Sequence, residues 1–560
     1  MSIILSSARR YLFAPKLNVW LIFSLAVGLC LAAPIGTILA SLTWPESQYW
    51  SHVASTVLPL YVQNSAILVI VVGFAVAIGG TLCAWLMSMC QFPGQKTLEW
   101  ALVLPLAMPA YVMAYAYTDF LQASGPLQTQ LRDITGWSIR DYYFPNIRSL
   151  GGAAVLFSFV LYPYCYLMAR TAFLEQSVCV LEASRTLGHS PYQTFWRAAL
   201  PLARPAVVAG TALALMEVLA DFGTVSYFGI QTFTTGIYRT WFGMGDRILA
   251  TQLASYLLIF VVLLMTLERM GRRKAKFYSS TNTMRDLPRF RLMGWHAAFA
   301  FMFCFIPVLF GFILPVIILF GLAIELETLP GTYALYANLA QNSAILSTMA
   351  AVLTVLIALF LTYTARRYPR KLTQFTLRAS SIGYAVPGSV IAIGVLIPFA
   401  WLDRTFDQLV LNYFGFGTGL LFTGTIFAIL FAYVARFSSI SVGGLEAGYG
   451  KIRPSIDDAA QTMGSSPGGI FKKIHFPMLK GSILIAALIV FVDVMKELPA
   501  TALMRPFNFD TLAVQAHNFA ADERLAEAAV ASLIIAAVGL IPVYVINRNL
   551  IRTQRGKDHV

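Results

Sequence analysis

Four carboxylates within apolar stretches are the residues of this chain whose chemistry stands out. They form two pairs, Glu217 with Asp221 and Asp493 with Glu497, and each acid of the first pair lies 276 positions before its equivalent in the second. A spacing of four places both acids of a pair on one face of a helix. Carboxylates within a membrane are costly and usually face a cavity or a partner. The pattern predicts four acids along a central pathway for a cationic solute.

A structural role for the same acids is the alternative. They would then lie near the outer membrane interface, or be paired with Lys496 or a nearby arginine. Lys496 has no equivalent in the first pair, where Ala220 takes its place, and it could simply neutralise one acid. The symmetry of the two pairs favours the pathway.

Three tyrosines could add oxygen ligands to the carboxylates. Tyr111, Tyr115 and Tyr117 follow Pro109 in an apolar stretch, and hard cations favour oxygen ligands. Aromatic packing in the core or at the membrane interface is the commoner role for such residues. Because a pathway that bound its cation tightly would stall, we expect weak, transient contacts and no stable metal site.

Membrane-spanning helices must position these residues. Of the 560 residues, 58% are hydrophobic and 12% are charged, and several apolar runs exceed the roughly 18 residues that indicate a membrane helix. The sequence predicts an all-α polytopic membrane protein with about 12 transmembrane helices. The predicted spans lie near 17–42, 62–88, 99–118, 150–172, 203–224, 248–267, 294–322, 342–364, 380–402, 419–436, 480–500 and 526–547.

The formal net charge of +14 raises the question of nucleic-acid binding. The lysines and arginines concentrate in alternate loops, as the positive-inside rule requires. Segments 269–291 and 365–379 are strongly basic, whereas 43–61 and 323–341 contain no Lys or Arg. We therefore expect a lipid bilayer and no nucleic acid as the partner of this charge, with both termini on the cytoplasmic side.

The chain repeats internally. The sequence Q-N-S-A-I-L at residues 63–68 recurs unaltered at 341–346, an offset of 278. Each half contains six predicted spans, an even number, so the repeat is parallel. The predicted domains are a first repeat at 1–267, a basic cytoplasmic linker at 268–293 and a second repeat at 294–560.

Two polar loops occupy equivalent places in the halves. Residues 182–201 read E-A-S-R-T-L-G-H-S-P-Y-Q-T-F-W-R-A-A-L-P, and residues 458–477 read D-A-A-Q-T-M-G-S-S-P-G-G-I-F-K-K-I-H-F-P. In each, a short helix can end at a left-handed glycine, and Ser-Pro can begin a second helix. The spacing predicts a helix–turn–helix outside the bilayer that docks in another protein's groove. Ordinary amphipathic helices are the alternative, which the duplication disfavours. The positions singled out are Glu182, Ala183, Gly188, Pro201, Asp458, Ala459, Gly464 and Pro477.

These loops resemble the signature loop of ABC importer permeases, E-A-A-x-x-x-G, nine residues, then I-x-L-P. The departures are Ser184, Asp458, Ala198 and Phe476. The resemblance implies the type I importer permease fold, with each loop docked on one of two copies of an ATPase subunit.

A nucleotide-binding motif is not visible in the chain itself. Gly450-Lys451 and Gly556-Lys557 are followed by Ile452 and Asp558, not by the Ser or Thr of a phosphate-binding loop. We predict a transport subunit that is not an enzyme and binds no cofactor, with ATP and Mg held by the partner ATPase.

A narrower resemblance surrounds the acids. Residues 217–229 (E-V-L-A-D-F-G-T-V-S-Y-F-G) and 496–501 (K-E-L-P-A-T) look like the fused, two-domain permeases of ferric-iron ABC importers. This implies a bacterial inner-membrane protein that receives ferric iron from a periplasmic binding protein and works by alternating access. An importer for a polyamine, thiamine or sulfate is the alternative, although four acids argue against an anion. An ion-coupled secondary carrier is the alternative from another class.

Overall fold

The computed structural model describes residues 19–174, 184, 186–188, 190–272, 290–326 and 330–555. Most of the described residues are helical, and the β-structure among them is a parallel pairing of β1 (Cys90–Gln91) with β2 (Phe290–Arg291). Eleven helices in these ranges are long and apolar enough to cross a membrane, and a bent helix pair makes a twelfth span if counted as one. The predicted all-α polytopic fold is confirmed.

The first half combines long spans with short helices between them. In order, its helices are α1 (Val19–Ala40), α2 (Trp50–Thr56), α3 (Leu58–Met89), α4 (Gln95–Ala101), α5 (Ala110–Leu121), α6 (Pro126–Thr135), α7 (Leu150–Leu174), α8 (Pro191–Thr194), α9 (Leu200–Ala220), α10 (Gly223–Tyr227), α11 (Phe233–Tyr238) and α12 (Arg247–Arg272).

The second half follows the same plan. Its helices are α13 (Trp295–Val308), α14 (Leu314–Ile324), α15 (Thr332–Arg367), α16 (Lys371–Ser380), α17 (Gly388–Phe414), α18 (Ile426–Gly450), α19 (Pro454–Thr462), α20 (Pro467–Ile470), α21 (Phe476–Met495), α22 (Pro499–Met504), α23 (Leu512–Ala521) and α24 (Leu525–Arg555).

The third span is broken, which corrects the continuous helix predicted at 99–118. The segment Gln95–Ala107 meets the next helix at an angle of 93°. Pro109 at this break is extended, with φ −62° and ψ 143°. Met108 before it is extended as well, with φ −100° and ψ 115°, because proline disfavours a helical conformation of the preceding residue. Pro387 is extended in the same way before α17. The helical backbone is therefore interrupted at a matched proline in both halves.

The fifth and eleventh spans begin earlier and end earlier than predicted, at Tyr192–Ala220 and Pro467–Met495. In each, the second helix of the polar loop runs into the span through a π-helical turn, Phe195–Ala199 or Phe471–His475. The proline just after each turn cannot donate to the carbonyl four residues back, and the wider i→i+5 turn accommodates that loss. Movement of the loop can thus pass directly into the span.

The two halves interlock through their first helices. Helix α1 packs on α16 and α17 of the second half, and α14 packs on α5 of the first half as well as on α24. Gly394 in α17 permits this approach, since a Cβ at that position would lie 2.4 Å from the carbonyl oxygen of Pro34 in α1. The cavity described below lies between halves that are held together in this way.

Candidate translocation site

A cavity of about 110 Å³ lies between the two halves, and all four predicted acids border it. The first half contributes the broken third span, α7 and the end of α9. The second half contributes the turn before α17, α18 and the end of α21. The polar side chains that line it are Tyr111, Tyr164, Glu217, Asp221, Tyr384, Arg436, Asp493, Lys496 and Glu497. The structure thus brings together residues that are far apart in sequence.

Glu217 and Asp493 occupy equivalent places in the last turns of α9 and α21, but their partners differ. The Lys496 Nζ lies 3.0 Å from Asp493 Oδ1, so the predicted neutralisation by Lys496 is present at this acid. Glu217 Oε1 accepts a hydrogen bond of 3.2 Å from the Tyr384 hydroxyl. Within the described part of the chain, Glu217 takes part in no ion pair.

Asp221 lies just beyond the end of α9, so the expectation that each pair shares one helix face is wrong. Its Oδ1 accepts hydrogen bonds from the backbone N–H groups of Thr224, at 3.0 Å, and Val225, at 3.2 Å. The carboxylate therefore caps α10, because the break between helices leaves backbone donors that need an acceptor. These hydrogen bonds explain why Asp221 lies at this position, whether or not it also contacts a solute.

Glu497 has the same structural role in the second half, where it lies just beyond the end of α21. It accepts hydrogen bonds from the N–H groups of Ala500, at 2.9 Å, and Thr501, at 3.0 Å. The Arg436 Nη1 lies 2.8 Å from its Oε1, and the side chains of Arg436 and Glu497 are 8% and 3% exposed. The alternative of a nearby arginine is thus also present. Arg436 was missed from the sequence, although a lone arginine at the edge of an apolar stretch is a signal that a carboxylate faces it.

The charges of the cavity are unevenly distributed between the halves. Four carboxylates and two cations leave two formal negative charges, and both cations, Arg436 and Lys496, belong to the second half. The second-half acids are paired with them, whereas Glu217 and Asp221 have neutral donors. Among the described residues, the acids of the cavity that have no cation within ion-pair distance are therefore those of the first half.

The three tyrosines after Pro109 are buried and hydrogen-bonded. Tyr111 donates to the carbonyl of Lys496, and Tyr117 donates to the carbonyl of Phe310. The Tyr115 hydroxyl lies 2.8 Å from His517 Nδ1. Of the three, Tyr111 borders the cavity. Across the described residues, no three His, Cys, Asp or Glu side chains are grouped so that they could hold a metal ion.

The polar loops have the backbone geometry that their glycines suggested. Gly188 has φ +80° and Gly464 has φ +79°, a conformation that glycine adopts without penalty. The residues just before them, Leu187 and Met463, are 75% and 77% exposed. Asp458, Ala459, Pro201 and Pro477 are exposed as well, while Glu182 and Ala183 lie outside the described residues. Each loop thus presents an apolar side chain beside a fixed turn.

Comparison with known proteins places the chain in a family. Residues 78–274 and 362–556 each match the family described as binding-protein-dependent transport system inner membrane component. The chain belongs to this family. Both matched segments of this inner membrane component contain one polar loop and one pair of acids, so the family unit occurs twice, as in a fused permease.

Similarity to individual proteins extends over most of this inner membrane component. It is 26% identical to the Fe(3+)-transport system permease protein FbpB 2 of Haemophilus influenzae over 87% of this chain and 89% of that protein. It is 24% identical to the ferric transport system permease protein FbpB of Actinobacillus pleuropneumoniae, over 72% of this chain and 58% of that protein. The sulfate transport system permease protein CysT of Escherichia coli is 26% identical over 40% of this chain and 77% of that protein.

Proposed function

We propose that this chain is the fused permease of an ABC importer that moves ferric iron across the bacterial inner membrane. A periplasmic binding protein delivers the iron, and two copies of a separate ATPase subunit drive its passage. The chain itself binds no cofactor, and ATP and Mg belong to the ATPase subunits. The assignment of ferric iron as the substrate is supported by the cavity with four carboxylates, in a chain that is similar to ferric permeases over most of its length.

The distribution of charge supports a passage in which iron is held weakly. Ferric iron is a hard cation that favours carboxylate oxygens. Glu217 is the acid of the cavity that lies within a span and has a neutral partner, Tyr384, so it is the best placed to exchange that hydrogen bond for the passing cation. Lys496 and Arg436 limit the attraction at the second-half acids. Weak contact is what transport needs, because the cation must also leave.

The two polar loops are the proposed docking points for the ATPase subunits. The exposed Leu187 and Met463 support this, because a large apolar side chain on a fixed turn can fill a groove on a partner. Each loop continues through a π-helical turn into the span that ends at the cavity acids. Closure of the ATPase subunits would therefore move the ends of α9 and α21, which gives alternating access of the cavity. The basic loop at 365–379 supports a cytoplasmic position for both loops and both termini.

A cationic organic solute such as a polyamine is the second candidate. The excess negative charge of the cavity suits it as well as it suits iron. A sulfate or other anion suits the cavity less, since both of its cations are already paired with acids.

The test is uptake of radiolabelled ferric iron into proteoliposomes that contain this chain with its ATPase, with iron-loaded binding protein outside. We expect accumulation that requires both ATP and the binding protein. ATP hydrolysis that is stimulated by the binding protein without movement of iron would contradict the assignment of iron as the substrate. Accumulation driven by an ion gradient, with no ATPase present, would instead indicate a secondary carrier.

A further inference from the structure

The two polar loops differ in the residues at the positions where the second loop is attached to the transmembrane helices. The internal repeat gives matched positions in the two halves, so the attachments can be compared residue by residue. In the second half the attachment contains an arginine, an aspartate and a histidine. In the first half the matched positions carry Ser88, Leu181 and Ala199.

Arg366, at the end of α15, is the centre of the second-half attachment. Its Nε donates to Asp457 Oδ2 in α19 at 2.8 Å. Its Nη1 donates to the carbonyl of Tyr449 at 3.2 Å, and its Nη2 donates to the carbonyl of Ile452 at 3.1 Å. These carbonyls lie at the C-terminal end of α18, where helix carbonyls lack partners and a cation is favoured. One guanidinium thus joins two spans to the first helix of the loop.

His475 links the same aspartate to the next span. Its Nε2 lies 2.8 Å from Asp457 Oδ1, and its ring is buried, with Tyr363 and Tyr449 packed edge-on against it. The Tyr363 hydroxyl donates to the carbonyl of Pro467 at 3.0 Å. Burial would raise the pKa of Asp457, but hydrogen bonds from Arg366 and His475 lower it below its usual value. The aspartate is therefore ionised at neutral pH and bound on both oxygens.

Among the described residues, the first half has an aromatic cluster between its spans and its polar loop. Trp85 packs against Phe173 and Phe195, with ring centroids 5.5 and 5.1 Å apart. These three residues match Tyr363, Tyr449 and Phe471 in the second half. Ser88, in the place of Arg366, donates to the carbonyl of Ala84 in its own helix.

The contact between the two helices within each loop also differs, and here the polar side chains belong to the first half. In the first loop the hydroxyl oxygens of Ser184 and Thr194 lie 3.1 Å apart and join its two helices. The matched positions of the second loop are the buried apolar residues Ala460 and Ile470. The residues that join the two helices within a loop are therefore polar in the first half and apolar at the matched positions of the second half.

We propose that Arg366, Asp457 and His475 are positioning residues that transmit ATPase movement to the second half through an ionic attachment, for which the matched positions of the first half carry no ionisable side chain. Charge-assisted hydrogen bonds are directional and strong, so the second loop moves with α15, α18 and α21 as one body. This rests on the proposed function, since it assigns how docked ATPase subunits act.

The test replaces the ionic attachment by the residues that the first half uses, in the triple variant R366S/D457L/H475A. Ser88→Ala in the first half is the matched control, because it removes a hydrogen bond that stays within one helix. The readout is iron transported per ATP hydrolysed in proteoliposomes, with ATPase co-purification measured in parallel. We expect the triple variant to retain the ATPase and lose transport per ATP by on the order of tenfold, while Ser88→Ala changes neither.

Two milder variants keep the test decisive if the triple variant does not fold. Asp457→Asn should lower transport per ATP, and Asp457→Glu should restore part of it, a rescue that simple destabilisation would not give. Unchanged transport per ATP in Asp457→Asn would overturn the inference and leave the proposed function intact. Failure of the unmodified chain to retain an ATPase would overturn the proposed function instead.

Discussion

The carboxylates of this permease have structural roles, proposed transport roles or both. The hydrogen-bond and ion-pair partners of each carboxylate distinguish these roles. Asp221 and Glu497 accept backbone hydrogen bonds at a helix break, so some of their contribution is to the fold. Glu217 and Asp493 lie within helices and make no such bonds to the next helix in the described chain. The pairs are symmetric in sequence, but Arg436 and Lys496 make the two halves unequal.

Glu497→Gln should destabilise the permease more than Asp221→Asn. Removing one charge of a buried ion pair costs about 3–5 kcal/mol, and Arg436 would be left buried without its partner. Asp221 has no cation to lose among the described residues, and an amide oxygen can still accept from the backbone, so its change should cost about 1 kcal/mol. The measurement is thermal unfolding of both purified variants in detergent. Equal losses in the two variants would show that the ion pair contributes nothing to stability.

At the scale of helices, the sequence located almost every span, but not its interruptions. Hydropathy records which residues are apolar, and it cannot show that α9 ends at Ala220 or that Pro109 separates two helices at 93°. The acids of the site could be found because they recur at a fixed offset. Arg436 and Tyr384 could not be found in this way, because their matched positions in the first half are Val160 and Leu106.

The glycines of the two loops should be needed for coupling and not for folding. In both, a Cβ would meet no atom within 4 Å, so leucine at Gly188 and Gly464 would be strained only by the left-handed backbone, at about 1–2 kcal/mol each. That strain changes the turn that presents Leu187 and Met463. We expect the double variant to fold, and either to release its ATPase or to hydrolyse ATP without transport.

Gly468→Leu is the matched control for these glycines. Gly468 lies in the second loop with equally open space, and its φ is not positive. Coupled uptake should persist in this control. Normal uptake in the G188L/G464L variant, measured in the same proteoliposomes, would contradict the proposed role of the glycine turns in coupling ATP hydrolysis to transport.

At the scale of the whole molecule, helices of each half pack on the other half around the cavity. Helix α1 of the first half packs on α17 of the second, and α14 packs on α5, so neither half can move without displacing a helix of the other. The four acids meet at the junction. We infer that iron passes between the halves at this junction, beside the acids of the first half that are not ion-paired among the described residues.

Comparison of Glu217→Gln with Asp493→Asn tests this passage most directly. The two residues are equivalent by the repeat, but Asp493 is paired with Lys496, whereas the partner of Glu217 is a tyrosine. The measurement is the initial rate of ATP-dependent ferric uptake at matched ATPase activity. We predict a loss on the order of tenfold for Glu217→Gln, equivalent to about 1.4 kcal/mol, and a much smaller loss for Asp493→Asn. Equal rates in both variants and in the unmodified permease would contradict passage of iron past Glu217.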